Sequence, residues 1–457
     1  MKFTLFPKKS MVLMAGDIGI ITFSYILSTV IWFGSCDRYD LITLLTGFSF
    51  LIAYIFIFYL LDFYNIDLIA QRIKFLFRHV TGVISTAGLL ALSFFFWPGL
   101  KSGRGVFLLC LILAGAGTYV WRLAFLSLFE KRLIQQRNIL IIGADRAGEA
   151  LYEAIKENPG YRVVGIMTED DHLPPSSPVP AISGGPTTLK QMVIDRDVNV
   201  LVLASNHVKD PELLKIALEC KRSGTVVCDM QSFYESMTGK VPVEHVTDSW
   251  LVFTPILGVK RSIYNNKVKR VVDIILALFG LVLTLPLALV IAVAVKLDSQ
   301  GEILYRQRRV GLNGNVFTLL KFRSMQIGTD HDRLHAGEKH DPRITRVGKI
   351  MRQFRIDELP QMWNVLKGEL SFIGPRALME EEVREFESRI PYFSLRHSIR
   401  PGITGWAQIN YRHGIKVEDG LEKLQYDLFY IKNLSPFLDF NILFKTVKVV
   451  IYRKGAR

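Results

Sequence analysis

The chain has 457 residues, of which 50% are hydrophobic, 11% aromatic and 21% charged, and its mean hydropathy is +0.26. This length exceeds one domain of about 150 residues, and this composition excludes an intrinsically disordered chain and indicates membrane association for part of it. The net charge of +14 would suit nucleic acid, anionic lipid or phosphorylated ligands. Cys36, Cys110, Cys220 and Cys228 lack the spacing of a zinc site or a disulfide framework.

The first part of the chain contains four apolar runs, each close to the ~20 residues that a membrane-spanning helix needs. They cover residues 11–33, 41–61, 80–97 and 106–129. Basic residues precede the first run, separate the second from the third and follow the fourth. The positive-inside rule therefore predicts a four-helix transmembrane domain, residues 1–134, with both ends in the cytoplasm. Within the first run, Asp17 is interpreted as a carboxylate satisfied by a partner or by the interface.

Residues 135–255 alternate short apolar runs with amphipathic ones. This alternation predicts a βαβαβαβ order and a Rossmann-like α/β domain with a parallel sheet. The first strand leads into a helix through the sequence GADRAG, residues 143–148. A dinucleotide-binding fingerprint requires glycine where Asp145 places a charged side chain. A structural or regulatory domain is therefore preferred to one that binds a cofactor.

A fifth apolar run, residues 271–295, is long enough to cross a bilayer but has basic residues at both ends. Crossing would place one basic cluster outside the cell. Pro286, in the middle of the run, removes a helical hydrogen bond and predicts a bend. Both features favour a re-entrant hairpin over about residues 268–298, whose two ends return to the cytoplasmic face. A kinked spanning helix is the alternative.

Most of the positive charge lies in the last part of the chain, where 33 Lys and Arg stand against 20 Asp and Glu from Lys260 onward. The arginines stand singly beside glycine, proline and aromatic residues. Neither a continuous basic run nor an aromatic RNA-binding signature is present in the sequence, which argues against a nucleic-acid partner. Arginines in such positions suit bidentate binding of discrete phosphates.

Asp357 and Glu358 form an acidic pair inside this basic region, with three basic residues just upstream and Arg376 downstream. An aspartate ahead of a proline-containing first turn is ordinarily a helix cap. Basic neighbours, however, lower the pKa of a carboxylate and attract a polyphosphate. One carboxylate could then attack phosphorus while the other binds Mg²⁺. Spacing alone does not decide between these two interpretations.

The chain from residue 267 onward resembles the bacterial sugar transferases that act on polyprenyl phosphate, the monotopic phosphoglycosyl transferases. The motifs, in order, are KRVVD, LYRQRRVGLNGNVFTLLKFRSM, DPRITRVGKIMRQFRIDELPQMWNVLKGELSFIGPR, RPGITGWAQIN and YDLFYIKN. With the preceding helices and α/β domain, the whole chain resembles the large members that initiate exopolysaccharide or O-antigen synthesis. The resemblance implies a multidomain membrane protein of the bacterial inner membrane. Its catalytic domain, residues 256–457, would be mainly α-helical, contain the hairpin and face the cytoplasm.

The resemblance also implies a two-step reaction. Asp357 would attack the sugar-proximal phosphorus of a UDP-sugar and expel UMP, and undecaprenyl phosphate would then take the sugar phosphate from the aspartyl intermediate. Glu358 would bind Mg²⁺. The implied substrate-binding residues are Lys321, Arg323, Arg352, Arg376, Arg400 and Gln408. The expected partners are the UDP-sugar, undecaprenyl phosphate and membrane lipids; a homodimer, the identity of the sugar and the pathway are left open.

Two positions depart from the family's pattern. Leu285 precedes Pro286 where members commonly have serine, so Thr284 becomes the candidate hydroxyl at the bend. Ala377 stands where a second proline usually follows Gly-Pro-Arg. Both departures concern the geometry of the bend and the stiffness of a loop rather than the acidic pair.

Two other functions are compatible with four membrane helices and a Rossmann-like domain. Membrane-bound nucleotide-sugar dehydratases and epimerases need an intact glycine fingerprint and a Tyr-x-x-x-Lys pair well downstream. Tyr152 and Lys156 have that spacing but fall in the first helix after the first strand. A scaffold that senses a nucleotide through the central domain is the second alternative, and it concerns that domain only.

Overall fold

The computed structural model describes residues 8–34, 41–61, 63–64, 72–100, 103–133, 136–143, 146–156, 158, 160–168, 181–183, 186–204, 211–245, 264–326, 343–411 and 417–451. The chain forms two compact units, one essentially up to Arg137 and one from Asn138 onward. The second unit contains both the α/β domain and the segment that carries the acidic pair. Each unit is described by itself.

The first unit contains four helices that are long and apolar enough to cross a membrane. They are α1 (Lys8–Phe33), α2 (Leu41–Leu60), α3 (Arg72–Phe96) and α4 (Arg104–Leu133). Helix α1 packs against α4 and α2, and α3 packs against α2 and α4. Aromatic side chains, among them Phe50, Tyr54 and Phe58, fill the space between the helices. Many apolar side chains on the outside are exposed, as expected for helices whose surroundings are lipid.

Asp17 has a charged partner inside this unit, which is one of the two alternatives that the sequence left open. Its two carboxylate oxygens accept from the guanidinium of Arg122 on α4 at 2.7 and 2.6 Å, and neither side chain is exposed. The guanidinium also lies over the rings of Phe58 and Phe63. Separation of α1 from α4, or removal of either partner, would leave an uncompensated buried charge. The pair therefore fixes α1 against α4.

The second unit begins with a five-stranded sheet in the order β3-β2-β1-β4-β5. The strands are β1 (Arg137–Ile142), β2 (Tyr161–Thr168), β3 (Ala181–Ser183), β4 (Val200–Leu203) and β5 (Val226–Asp229). The pairs β1–β4, β2–β3 and β4–β5 are parallel, which confirms the predicted parallel sheet. The short strand β3 was not predicted. The helices are α5 (Arg146–Lys156), α6 (Pro186–Asp195), α7 (Pro211–Arg222) and α8 (Met230–Thr238).

The turn from β1 to α5 depends on two glycines. Gly143 has a φ of 107°, in the left-handed region that favours glycine. A Cβ at Gly148 would lie 2.4 Å from the carbonyl oxygen of Gly143, so only glycine allows this approach of helix and strand. Asp145, on which the preference for a structural or regulatory domain rested, lies outside the described residues.

The rest of the second unit is mainly α-helical. Its helices are α9 (Lys269–Asp298), α10 (Arg346–Gln353), α11 (Gln361–Lys367), α12 (Glu380–Arg389), α13 (Trp406–Asn410), α14 (Val417–Lys432) and α15 (Pro436–Ile451). Strands β6 (Leu304–Val310) and β7 (Val316–Phe322) form an antiparallel hairpin, and β8 (Ser371–Ile373) pairs in parallel with β9 (Gly402–Thr404). This composition agrees with the expected mainly α domain.

Helix α9 is continuous through Pro286, yet both of its ends contact the same domain. Ala277 belongs to a buried cluster with Leu319 of β7, whereas Ile291 belongs to a cluster with Phe322 of that strand. In the middle of α9, most side chains are apolar and exposed, and Pro286 is exposed too. Leu281, Thr284 and Ala288 are partly buried there.

The hydroxyl of Thr284 does not replace the hydrogen bond that Pro286 removes. It donates to the carbonyl of Gly280 at 2.7 Å. The carbonyl four residues before Pro286 belongs to Val282, which is 74% exposed. The sequence analysis offered Thr284 as the hydroxyl at the bend. Its hydrogen bond instead goes to a carbonyl two residues earlier in the chain than the one that Pro286 leaves unpaired.

The α/β domain is joined to the segment that carries the acidic pair through α8 and the residues just after it. The Nζ of Lys432 on α14 lies 2.7 Å from a carboxylate oxygen of Glu235 on α8. The indole N–H of Trp406 donates to the carbonyl of Gly239, the residue that ends α8, at 2.9 Å. These contacts hold the α/β domain and the segment with the acidic pair together within one compact unit.

Candidate active site

Asp357 and Glu358 lie in a single 3₁₀ turn, Ile356–Glu358, between α10 and α11. Arg355, just before it, adopts a φ of 54°, which redirects the chain out of α10. The N-cap position of α11 is Pro360, and no side chain caps it. Asp357 is therefore not the N-cap of α11, and it is buried, with 8% of its surface exposed. The ordinary helix-cap interpretation of this residue does not apply to that helix.

Two cations contact Glu358. Its Oε1 lies 3.2 Å from Nζ of Lys321, on β7, and 3.7 Å from Nη2 of Arg376, in the loop after β8. Burial acts to raise the pKa of Glu358, but the charges of Lys321 and Arg376, with that of Arg355, lower the pKa below its ordinary value. Glu358 is thus held as an anion at neutral pH.

Asp357 has the opposite shift. Burial raises its pKa above the ordinary value, and the adjacent charge of Glu358 raises it further, while Lys321 and Arg352 act against both. Two neighbouring carboxylates whose pKa values are pushed apart are typical of sites where one group reacts and the other holds charge. The more basic carboxylate here belongs to Asp357.

A small cleft opens beside the two cations that contact Glu358. Lys321, Arg376 and Arg309 line it, together with the buried Gln361 and the β9 residues Gly402 and Ile403. Arg309 and Gln361 were not singled out in the sequence, although both stand inside its motifs. Three cations at one cleft provide the electrostatic environment that a diphosphate requires.

Close backbone packing brings the Gly-Pro-Arg loop to this cleft. A Cβ at Gly402 would lie 2.1 Å from the backbone nitrogen of Gly374, and a Cβ at Gly405 would lie 2.1 Å from its carbonyl oxygen. No side chain fits at either position. The glycines of the two motifs therefore allow β8 and β9 to approach, and this approach carries Arg376 to the cleft.

Asn364, another residue that sequence reasoning missed, fixes α11 against β7. It is fully buried, donates to the carbonyl of Thr318 at 2.7 Å and accepts from the backbone N–H of Leu320 at 3.1 Å. Because Lys321 follows Leu320, this side chain sets the separation of Lys321 from the acidic turn. The available signal was the spacing of Gln361 and Asn364, two polar residues on one face of an otherwise apolar helix.

The predicted phosphate-binding residues divide into two groups. Lys321 and Arg376 contact Glu358, and Arg352 is close enough to Asp357 to lower its pKa while its Nε donates to Ser324 at 3.1 Å. These three cations surround the acidic turn.

Arg323, Arg400 and Gln408 are placed differently. Arg323 is buried and donates to the carbonyl and hydroxyl of Ser299, at the end of α9. Arg400 donates to the carbonyl of Gly368 at 3.0 Å, at the end of α11 away from the acidic turn. Gln408 donates to the carbonyl of Ile403, a cleft residue, at 3.0 Å. This placement does not support contact of Arg323 or Arg400 with a substrate diphosphate.

The acidic turn fits a Mg²⁺ site of the kind completed by a substrate. Among the described residues, no group of three His, Cys, Asp or Glu side chains is placed to hold a metal ion. Mg²⁺ commonly keeps several waters and takes one or two carboxylates together with substrate phosphates. Glu358, ionised and adjacent to Asp357, has the donor chemistry for such a site.

Family models match both parts of the chain. Residues 264–453 match the model described as bacterial sugar transferase, and residues 59–225 match a model described as CoA-binding domain. The first match contains α9, the acidic turn and every cation of the cleft.

Curated relatives are similar over longer stretches. A UDP-N-acetylgalactosamine-undecaprenyl-phosphate N-acetylgalactosaminephosphotransferase of Aeromonas hydrophila is 38% identical over 238 residues, which cover 52% of this chain and little more than half, 55%, of that protein. A UDP-glucose:undecaprenyl-phosphate glucose-1-phosphate transferase of Escherichia coli K12 is 34% identical over 339 residues, covering 70% and 69%. A UDP-galactose-lipid carrier transferase of Erwinia amylovora is 29% identical over 383 residues, covering 77% and 76%.

Proposed function

The chain belongs to the bacterial sugar transferase family of enzymes, and we propose that it transfers a sugar 1-phosphate from a UDP-sugar to undecaprenyl phosphate, releasing UMP. The observation that carries the proposal is the buried Asp357–Glu358 turn beside Lys321 and Arg376. The relatives' names specify three different sugars, so the sugar is left unassigned. Such a step would begin the assembly of an exopolysaccharide or O-antigen repeat unit.

In the first step, a carboxylate oxygen of Asp357 attacks the sugar-proximal phosphorus of the UDP-sugar. The new O–P bond replaces the bond to the bridging oxygen, which leaves on UMP with its electron pair. In the second step, a phosphate oxygen of undecaprenyl phosphate attacks the same phosphorus and expels the Asp357 carboxylate. One anhydride is exchanged for another through an acyl phosphate, so no external energy source is needed.

The cations of the cleft supply electrostatic stabilisation. Lys321, Arg376 and Arg309 would face the diphosphate, where negative charge moves onto the departing UMP. Glu358, together with substrate phosphate oxygens, would hold Mg²⁺, which would neutralise part of the diphosphate charge. The raised pKa of Asp357 makes its carboxylate the more basic, and hence the more nucleophilic, of the pair.

We also propose that α9 is re-entrant and that the catalytic segment faces the cytoplasm at the inner membrane. The membership of both ends of α9 in buried clusters of this domain, the exposed apolar middle and the basic residues at both ends support this geometry. A Cβ at Gly280 would lie 2.7 Å from the sulfur of Met362, so α11 lies directly against α9. The acidic turn, just before α11, would then lie near the phosphate of the lipid acceptor.

A cysteine-accessibility scan tests the orientation. In a background without the four native cysteines, single cysteines at exposed Leu297 and Val316 should react with a membrane-impermeant reagent only after the cells are opened. Labelling of either residue from outside intact cells would contradict the re-entrant arrangement. A cysteine at Asp195, exposed on α6, serves as the cytoplasmic control.

Release of UMP tests the reaction. Purified protein incubated with a panel of UDP-sugars, Mg²⁺ and undecaprenyl phosphate should release UMP with at least one sugar. Asp357→Asn should abolish release, because an amide is a poor nucleophile towards phosphorus. Asp195→Asn, the same change at an exposed site, should leave release unchanged. Undiminished turnover in Asp357→Asn would refute the nucleophile assignment.

A membrane-bound dehydratase or epimerase is not favoured. Tyr152 and Lys156 both lie on α5, directly after β1, as their sequence position indicated. The curated relatives named above are all named as transferases, not as dehydratases or epimerases.

A further inference from the structure

The guanidinium of Arg376 is not fixed by its own hydrogen bonds to the described residues. Its ion pair with Glu358 is 3.7 Å long, beyond hydrogen-bond distance. The direction of this side chain therefore depends on the backbone of the loop that carries it. A displacement of about 1 Å at a phosphate-binding group can reduce catalysis by about 10²-fold.

Three consecutive carbonyls of that loop are held by hydrogen bonds. The carbonyl of Arg376 accepts from Nη2 of Arg396 at 3.0 Å. The carbonyl of Ala377 accepts from Nη1 of Arg309, also at 3.0 Å, and the carbonyl of Leu378 accepts from the N–H of Val310 at 2.9 Å. In addition to its backbone pairing with Gly402, the loop is thus fixed by β6 and by Arg396.

Arg396 is a buried charge whose burial is compensated by one carboxylate. Its side chain is 3% exposed, and its Nη2 lies 2.8 Å from Oδ2 of Asp427 on α14, whose side chain is 2% exposed. The guanidinium also lies over the ring of Phe393, 5.0 Å from its centroid. Arg396 thus links α14 to the carbonyl of Arg376, and it does not line the cleft.

We propose that the buried Arg396–Asp427 pair is a positioning device that holds Arg376 at the phosphate-binding cleft. Asp427 fixes Arg396, Arg396 fixes the carbonyl of Arg376, and the side chain of Arg376 is thereby directed to the edge of the cleft beside Glu358. This inference rests on the proposed function, because it takes the cleft to be the site of the UDP-sugar diphosphate. Neither Arg396 nor Asp427 contacts that substrate.

Arg396→Lys tests the device with little loss of charge. Lysine keeps the charge, but it lacks the planar guanidinium that places Nη2 within reach of both the carbonyl of Arg376 and the carboxylate of Asp427. We expect about a tenfold loss of kcat/KM for UMP release and a similar rise in the Kd of UDP, measured by calorimetry. In an Arg376→Ala background, the same substitution should change each quantity less than about twofold, because coupled residues are not additive.

If Arg396→Lys fails to fold, Asp427→Asn replaces it in a second double-mutant cycle, alone and in the Arg376→Ala background. This substitution keeps the size of the side chain and removes its charge. The matched control is Lys432→Gln, which breaks another ion pair of α14, the one with Glu235. It should lower the thermal midpoint and leave both kcat/KM and the Kd of UDP within about twofold.

The outcomes separate the inference from the proposed function. If the losses of kcat/KM and of UDP affinity multiply in both cycles, Arg396 does not act through Arg376, and the inference is overturned. An equal loss in Lys432→Gln would mean that the effect comes from stability alone, and it would also overturn the inference. Absence of UMP release from the unsubstituted protein would overturn the proposed function, while the Kd cycle would still decide the positioning role. Failure of UDP to bind at all would overturn the inference as well.

Discussion

At the scale of single residues, burial and charge act differently on two carboxylates that are adjacent in the chain. Glu358 is buried beside Lys321 and Arg376, and its pKa falls; Asp357 is buried beside Glu358, and its pKa rises. The difference arises because the nearby cations contact one carboxylate directly and the other only at longer range. A fixed anion next to a more basic carboxylate suits a metal ligand and a nucleophile, respectively.

His397 gives a pH-dependent prediction at the same scale. Burial lowers the pKa of this side chain from 6.5 to about 4, and the charge of Arg396 lowers it further. Between pH 6.5 and 4, the unfolded chain binds a proton at this position that the folded chain does not, so stability falls as the pH falls. The loss should reach about 2 kcal/mol at pH 5.

The measurement is the urea midpoint of the detergent-solubilised protein at pH 7 and pH 5. His397→Gln, which does not titrate, should reduce the difference between the two midpoints. His245→Gln serves as the histidine control and should keep the unsubstituted difference. An unchanged pH dependence in His397→Gln would show that this histidine is not the group responsible.

At the scale of elements, short segments pack closely because glycine stands where a side chain would clash. Strands β8 and β9 approach so closely that Gly374, Gly402 and Gly405 occupy positions with no room for a Cβ. The helix–helix contact of α9 with α11 follows the same principle, since Gly280 leaves space for Met362. In both places a glycine positions an element that carries a residue of the candidate site.

Gly402→Ala should separate β8 from β9 and displace Arg376. A Cβ there would lie 2.1 Å from a backbone nitrogen, which cannot move as a side-chain end could. We expect a loss of about 10²-fold in kcat/KM for UMP release, because the cation no longer faces the cleft. Gly88→Ala, on a helix position with open space around it, is the control and should retain activity. Full activity in Gly402→Ala would contradict the close-packing explanation.

At the scale of the whole molecule, the chain forms two compact units. The α/β domain and the catalytic segment share one unit because α8 contacts α13 and α14 through Glu235 and Gly239. The α/β domain thus contacts α14, the helix that carries Asp427.

Trp406→Phe tests this connection. The substitution removes the indole N–H that donates to the carbonyl of Gly239 and leaves that carbonyl without its donor. The free energy of unfolding should fall by about 1 kcal/mol. Trp363→Phe, at a side chain that is 50% exposed, should change it by less than about 0.5 kcal/mol. Equal effects of the two substitutions would argue against the contribution of the domain contact.

The sequence was sufficient for features that depend on local pattern. Four long apolar helices and a parallel sheet follow from the length and period of the apolar runs, because each run must bury or expose one face whatever its neighbours are. Strand β3 was missed because three residues are too few to show a period. The acidic pair was also identified in the sequence, since its motif and its basic surroundings are contiguous in the chain.

Only the tertiary structure decided which cations serve the acidic pair. Lys321 and Arg376 reach Glu358, whereas Arg323 and Arg400 donate to carbonyls at the ends of α9 and α11. Helix ends leave carbonyls without intrahelical partners, and an arginine in a motif can satisfy them as readily as it can bind a phosphate. Which of the two it does depends on where each helix ends in space. The sequence alone therefore determined the type of charge at the site, and the fold determined which charges remain available to a substrate.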